Sequence, residues 1–309
     1  MTFRLITPKP LMVGDVVGIA AISGPVKSSD MEKGIELLEK LGLRVRLSRN
    51  IHERKNYLAG SDHMRVEELN NFFLDPMIRG IFFARGGYGS MRVLQEINYD
   101  AILGDPKIMI GMSDITALSM AVFRRCGLIT LAGPMIAGQI NSGLDAKSMN
   151  SFVEALTEPV ARYQIVREVD PPGLKVLRQG RMKGPLLGGC LSLLVSLLGT
   201  PYCPNFTGCV LFIEDVNEPP YKIDRMLTQM KLAGIFENIG GVMICQFSGD
   251  DPEIATSTVE RIVLDYVKQD TIPVISNFPH GHVLPNITLP VGALIDFEAS
   301  ADGAHLRIV

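Results

Sequence analysis

Lys107-Ile108-Met109-Ile110-Gly111-Met112-Ser113-Asp114-Ile115-Thr116-Ala117-Leu118 carries a short apolar run into a helical pattern with almost no connection between them. Such a strand-to-helix unit is the building block of a parallel sheet, because parallel neighbours need a crossover and a helix supplies one. The same alternation recurs outward from this segment. Apolar runs at 16–21, 43–47 and 78–84 read as strands, and patterns at 30–41, 61–74, 91–97 and 115–125 read as helices. Ser61 stands where a helix cap is wanted, and Ser28 or Ser29 could cap the helix before it. A helix over 147–156 closes the first half.

Residues 158–180 are richer in charge and proline and include Pro171-Pro172-Gly173. The domain junction is placed there, giving domains at 1–157 and 181–309 around a linker at 158–180. The second half reads as helices at 191–198, 221–232 and 257–268 among strands at 209–213, 242–245, 273–276, 293–299 and 305–309. Asp302-Gly303 is a hairpin turn signal between the last two. The expectation is an α/β protein: an N-terminal three-layer domain with a parallel sheet, a smaller C-terminal α/β domain with a mixed sheet, and a site in the cleft between them.

Composition narrows the function classes. The 309 residues are 47% hydrophobic and 20% charged, enough apolar surface for two cores and too little charge for wholesale disorder. A formal net charge of -3 without a Lys/Arg run argues against a nucleic-acid partner. The longest apolar run, near 186–198, is broken by glycines and is shorter than the ~20 residues of a membrane span. The N-terminus carries no signal-peptide pattern, so a cytoplasmic protein is expected. Five cysteines (Cys126, Cys190, Cys203, Cys209 and Cys245) match no zinc or disulfide spacing and read as buried free thiols in a reducing compartment.

Three places could carry chemistry. Ser113 sits on the turn between a strand and a helix, where a hydroxyl projects from the sheet edge and the helix N-terminus can stabilise an oxyanion. The nucleophile-elbow pattern is only half present, since Gly111 precedes but Ile115 stands in the later glycine position; on this segment alone Ser113 or Asp114 reads more simply as a helix cap. Arg85-Gly86-Gly87-Tyr88-Gly89-Ser90 also links strand to helix and could present backbone N–H groups to an oxyanion or a phosphate, or be a plain tight turn. In the second half, Glu214-Asp215 follow an apolar strand, and Pro279-His280-Gly281-His282 follow another. Histidine is the usual base near neutral pH, and no further ligand stands close enough to make the pair a metal site. Together these places offer a nucleophile, a base, an orienting acid and an anion loop, in the order serine, acid, histidine.

At this point the chain resembles the LD-carboxypeptidase family, which includes the muramoyltetrapeptide carboxypeptidases of peptidoglycan recycling. The resemblance is carried by the glycine loop from Arg85, by Gly111 to Leu118, by Gly184-Pro185-Leu186-Leu187-Gly188-Gly189, by the block from Glu214 to Arg225, and by Gly281-His282. It implies a serine carboxypeptidase with Ser113 as nucleophile, His282 as base and Glu214, rather than Asp215 or Glu218, as the acid. His280 falls outside the Gly-His pair. The resemblance further implies an oxyanion hole from the N–H groups of Gly87 and Asp114, no cofactor and no metal. The implied reaction removes the terminal D-alanine of a murein tetrapeptide at an L,D-bond. Arg85 is a candidate for the substrate carboxylate from its position, with an ion pair holding the loop as the alternative. Cys190 departs from the asparagine seen after the Gly-Gly pair. A homodimer is expected because symmetric dimers are common. Related immunity peptidases, which cleave peptidyl or aminoacyl nucleotides, are the alternative; the absence of Trp and a short interdomain connection favour the murein peptide.

Overall fold

The computed structural model describes residues 5–165, 173–249, 252–268 and 270–309. The first half contains β1 (Val16–Ala20), α1 (Glu32–Lys40), β2 (Arg44–Leu47), α2 (Asp62–Leu74), β3 (Ile78–Phe83), α3 (Tyr99–Gly104), β4 (Ile108–Ile110), α4 (Ile115–Cys126), β5 (Thr130–Ala132) and α5 (Ala146–Thr157). The second half adds β6 (Lys175–Arg178), β7 (Gly180–Cys190), α6 (Leu191–Leu197), β8 (Val210–Val216), α7 (Pro220–Leu232), α8 (Ile235–Asn238), β9 (Gly241–Ser248), α9 (Pro252–Tyr266), β10 (Val274–Ser276), β11 (Leu289–Val291), β12 (Leu294–Ser300) and β13 (Gly303–Ile308). Ser61 caps α2 as expected, its hydroxyl accepting from Met64 N. Ser28 and Ser29 do not cap α1; they form a short 3-10 turn ahead of it. The helix expected over 91–97 is a 3-10 helix, Ser90–Glu96.

Two mixed sheets result. The first has the order β11-β5-β4-β3-β1-β2. Strands β1 to β5 are parallel, and β11 is added antiparallel on β5. The second has the order β13-β12-β7-β8-β9-β10-β6, with a parallel centre of β7 to β10 and antiparallel β12, β13 and β6. The α/β expectation of a parallel N-terminal sheet and a mixed C-terminal sheet holds, with two refinements. Strand β6 lies inside the span read as a linker and pairs with β10 of the second sheet. Strand β11, from the second half, belongs to the first sheet.

Three features seat the halves on each other. Helix α4 is buried on nearly every face because it packs on the first sheet and also against β7 and α6. Gly189, at φ +139°, leaves room for Thr116 of α4: a β-carbon there would lie 2.5 Å from Thr116 Oγ1, which accepts a 3.1 Å hydrogen bond from Cys190 N. Finally, Tyr163 OH donates to Thr288 O at 2.6 Å, Thr288 N donates to Ser151 Oγ at 2.8 Å, and Asn286 N donates to Ser148 Oγ at 2.7 Å. These bonds fasten the chain before β11 to α5 and to Tyr163 beyond it. The five cysteines are free thiols; Cys203 is half-buried and the other four are buried. Among the described residues no helix is long and apolar enough to cross a membrane.

Candidate active site

In the first sheet the chain runs outward one way from β1 to β2 and the other way through β3, β4 and β5. The carboxyl ends of strands beside such a reversal are where open α/β sheets collect ligands. The loops after β1, β3 and β4 carry Ser23-Gly24, Arg85 to Ser90, and Gly111 to Asp114. Ser113 has φ +61°, a left-handed conformation that is uncommon for a non-glycine residue and tends to mark sites where geometry matters more than local comfort. Its hydroxyl has no hydrogen-bond partner among the described residues. The cap expectation fails at both residues. Asp114 occupies the N-cap position of α4 without a side-chain capping bond. Its buried carboxylate accepts instead from Ser23 Oγ and, at 2.8 Å, from Ser90 N.

The glycine loop closes over Ser113. A β-carbon added at Gly86 would lie 2.9 Å from both Cβ and Oγ of Ser113, so only glycine allows this approach. Gly24 N donates to Gly86 O at 3.0 Å. Gly87 follows at φ +110°. The N–H groups of Gly87 and Asp114 donate to no protein acceptor among the described residues, as an anion-binding pair requires. Arg85 makes no ion pair among the described residues, so the alternative of a salt-bridged loop is not met. Its guanidinium donates to Pro25 O at 3.2 Å.

In the second sheet, β8 continues through Glu214 and Asp215 to Val216, so these acids lie inside the strand rather than beyond it. Successive strand residues face opposite sides, and both acids are buried with different partners. Glu214 Oε2 accepts from His282 Nδ1 at 2.8 Å. Asp215 faces α6, where it accepts from Ser192 N and Val216 N at 2.8 Å each, with Cys190 Sγ at 3.4 Å. Burial draws the His282 pKa down. The hydrogen bond and charge of Glu214, reinforced by Asp215, outweigh burial and leave it raised above 6.5. With Nδ1 engaged, Nε2 is the nitrogen left to exchange a proton. His280 is different: it is buried in the core, its Nδ1 donates to Ile287 O at 2.8 Å, and burial depresses its pKa to about 4.

Sequence reasoning did not single out the residues that join the two halves here. Gln139 Nε2 donates to Gly281 O at 3.3 Å and lies 3.5 Å from Met112 Sδ. Asn286 accepts from Gly281 N through Oδ1 at 3.4 Å and places Nδ2 3.4 Å from the same sulfur. The residues immediately before Ser113 and His282 are therefore clamped by the same two amides. No local pattern marks Gln139 or Asn286, because their role exists only once β11 docks on the first sheet.

Comparison with known proteins places this geometry among relatives. Family models described as the LD-carboxypeptidase N-terminal and C-terminal domains match residues 17–133 and 183–297. The chain is 36% identical to a probable murein peptide carboxypeptidase of Bacillus subtilis (strain 168), over 93% of this chain and 89% of the relative. It is 27% identical to the microcin C7 self-immunity protein MccF of Escherichia coli, over 94% of this chain and 95% of that one. A solved muramoyltetrapeptide carboxypeptidase from Oxalobacter formigenes superposes with a TM-score of 0.79 at 27% identity, covering 95% of this chain and 98% of that structure.

Proposed function

The chain belongs to the LD-carboxypeptidase family, and from that premise we propose that it is a serine carboxypeptidase releasing the terminal D-alanine of a murein tetrapeptide. Ser113 is the nucleophile, His282 the base and Glu214 the acid that orients it. The observation that carries this reading is the 2.8 Å bond between Glu214 and His282 Nδ1. It selects the imidazole tautomer with a bare Nε2 and stabilises the imidazolium that forms when Nε2 takes a proton.

In the reaction, His282 Nε2 accepts the Ser113 hydroxyl proton as Oγ bonds to the carbonyl carbon of the scissile amide. The carbonyl oxygen becomes an oxyanion facing the N–H groups of Gly87 and Asp114. Collapse breaks the C–N bond, and the imidazolium gives its proton to the departing D-alanine amine. Water, deprotonated by His282, then cleaves the acyl-serine ester to release the tripeptide. No step draws on a cofactor. Arg85, a cation beside the glycine loop, receives the substrate's terminal carboxylate.

The test is to incubate the protein with murein tetrapeptide and quantify free D-alanine for the wild type and for Ser113→Ala. Release by the wild type and none by the variant is expected; no release by the wild type overturns the substrate. A second reading is favoured by the likeness to MccF over 94% of the chain: an immunity peptidase acting on an aminoacyl or peptidyl nucleotide. Faster turnover of such a nucleotide than of the tetrapeptide would select it.

A further inference from the structure

We propose that the side chain of Asp114 is a positioning residue for the oxyanion site, drawing the loops after β1, β3 and β4 together so that the Gly87 and Asp114 N–H groups converge beside Ser113. This rests on the reading of Ser113 as nucleophile. The Asp114 carboxylate is 1% exposed and accepts from one donor on each of two other loops, Ser23 Oγ at 2.5 Å after β1 and Ser90 N at 2.8 Å after β3. Ser90 returns a bond from its hydroxyl to Asp114 O at 2.5 Å. Both serines are fully buried, so water does not compete for these bonds.

The other side of the glycine loop is held as well. Arg65 is fully buried, and its Nη1 donates to Gly89 O at 2.9 Å and to Ile22 O. The loop is thus gripped at Ser90 N by a carboxylate and at Gly89 O by a guanidinium. An aspartate at a helix N-cap ordinarily turns its carboxylate onto the helix's own N–H groups. Asp114 does not make that bond. Its orientation therefore serves the loops rather than α4. The tolerance is small, since an atom at Gly86 would stand 2.9 Å from Ser113 Oγ, and a shift of about 1 Å in such a site costs about 100-fold in rate.

The experiment compares wild type, Ser23→Ala, Asp114→Asn and Ser113→Ala on murein tetrapeptide, well below each variant's unfolding temperature. It reads kcat, KM and inhibition by a peptide boronic acid, whose tetrahedral adduct presents an oxygen to the oxyanion donors. Ser23→Ala and Asp114→Asn are expected to lower kcat by about 10- to 100-fold, to leave KM within about threefold, and to weaken the boronate in proportion to kcat. Should Asp114→Asn fail to fold, Ser23→Ala, which keeps the carboxylate and removes one anchor, decides alone. Wild-type kcat and boronate affinity in the folded variants, with only a lowered unfolding temperature, would overturn the proposal while an inert Ser113→Ala left the nucleophile standing. D-alanine release by Ser113→Ala would overturn both.

Discussion

Glu214 Oε2 and His282 Nδ1 meet at 2.8 Å across 68 residues of sequence, one from within a central strand and the other from the loop after β10. The next residue along the strand, Asp215, is turned to the opposite face and used up by the N-terminus of α6. The pair lies inside the second half of the chain. Met112, the residue before Ser113, is joined to Gly281, the residue before His282, by the Gln139 and Asn286 bridges.

The first prediction concerns pH and rate. His282 must be neutral to accept a proton, and its pKa is raised above 6.5. The acid limb of kcat/KM is therefore expected above pH 6.5. Glu214→Gln removes the main cause of the rise, so the limb should move to lower pH while kcat falls about 10²- to 10⁴-fold. A pH profile of the two proteins checks this, and an unmoved limb would contradict it.

The same pair bears on stability. A histidine whose folded pKa is raised contributes stability that is complete below its unfolded value of about 6.5 and is lost as pH rises through the folded value. Glu214→Gln should accordingly cost more stability at pH 6 than at pH 9. Urea denaturation at the two pH values reads the difference directly.

His280 should act in the opposite sense. Its folded pKa is depressed to about 4 by burial. The stability tied to its neutral form is complete above about 6.5 and is lost as pH falls toward about 4, by about 3 kcal/mol in all. His280→Asn, which keeps a donor for Ile287 O, should flatten the fall in stability over that range, measured by denaturant midpoints from pH 7 to pH 4.

Gly86→Ala probes the contact between the glycine loop and Ser113. Gly86 does not occupy the left-handed region, so the substitution is costly through the 2.9 Å approach to Ser113 rather than through the backbone. It should destabilise by about 1–3 kcal/mol and depress kcat more than it changes KM. Thermal unfolding and steady-state kinetics separate the two effects; wild-type kcat would show that the loop yields.

Thr116→Val probes the seam between the halves. It keeps the shape but removes the acceptor for the buried Cys190 N. A cost of about 1–3 kcal/mol is expected, with Thr116→Ser close to wild type. Equal stability of the valine and serine variants would mean that the seam is held by packing alone.

The elements legible in the sequence were those whose burial follows a local period. The β1 to β4 alternation with α1, α2 and α4 could be read in this way, as could the Ser61 cap and the final hairpin, closed between Ser300 and Gly303. Strand β7 was hidden because its glycines break the apolar pattern, although they are what lets it lie against its neighbours. Strands β5 and β11 are three residues each and, unlike the equally short β4, do not run directly into an α-helix that would mark them. No local signal could place β11 in the sheet of the other half, since that depends on partners more than a hundred residues away. The candidate site divides in the same manner. Residue types and motifs marked Ser113, the glycine loop, two adjacent acids and two nearby histidines. The family resemblance chose Glu214 over Asp215 and His282 over His280, but no local pattern did; only the tertiary structure turns Glu214 to His282, Asp215 to α6 and His280 into the core, because which side of a strand meets a cleft and which meets a helix is set by what packs there. Ser113 shows the limit most clearly: its own segment suggested a cap, and only the folded loops reveal that Asp114 stands at the N-cap of α4 with its carboxylate turned to Ser23 and Ser90 instead.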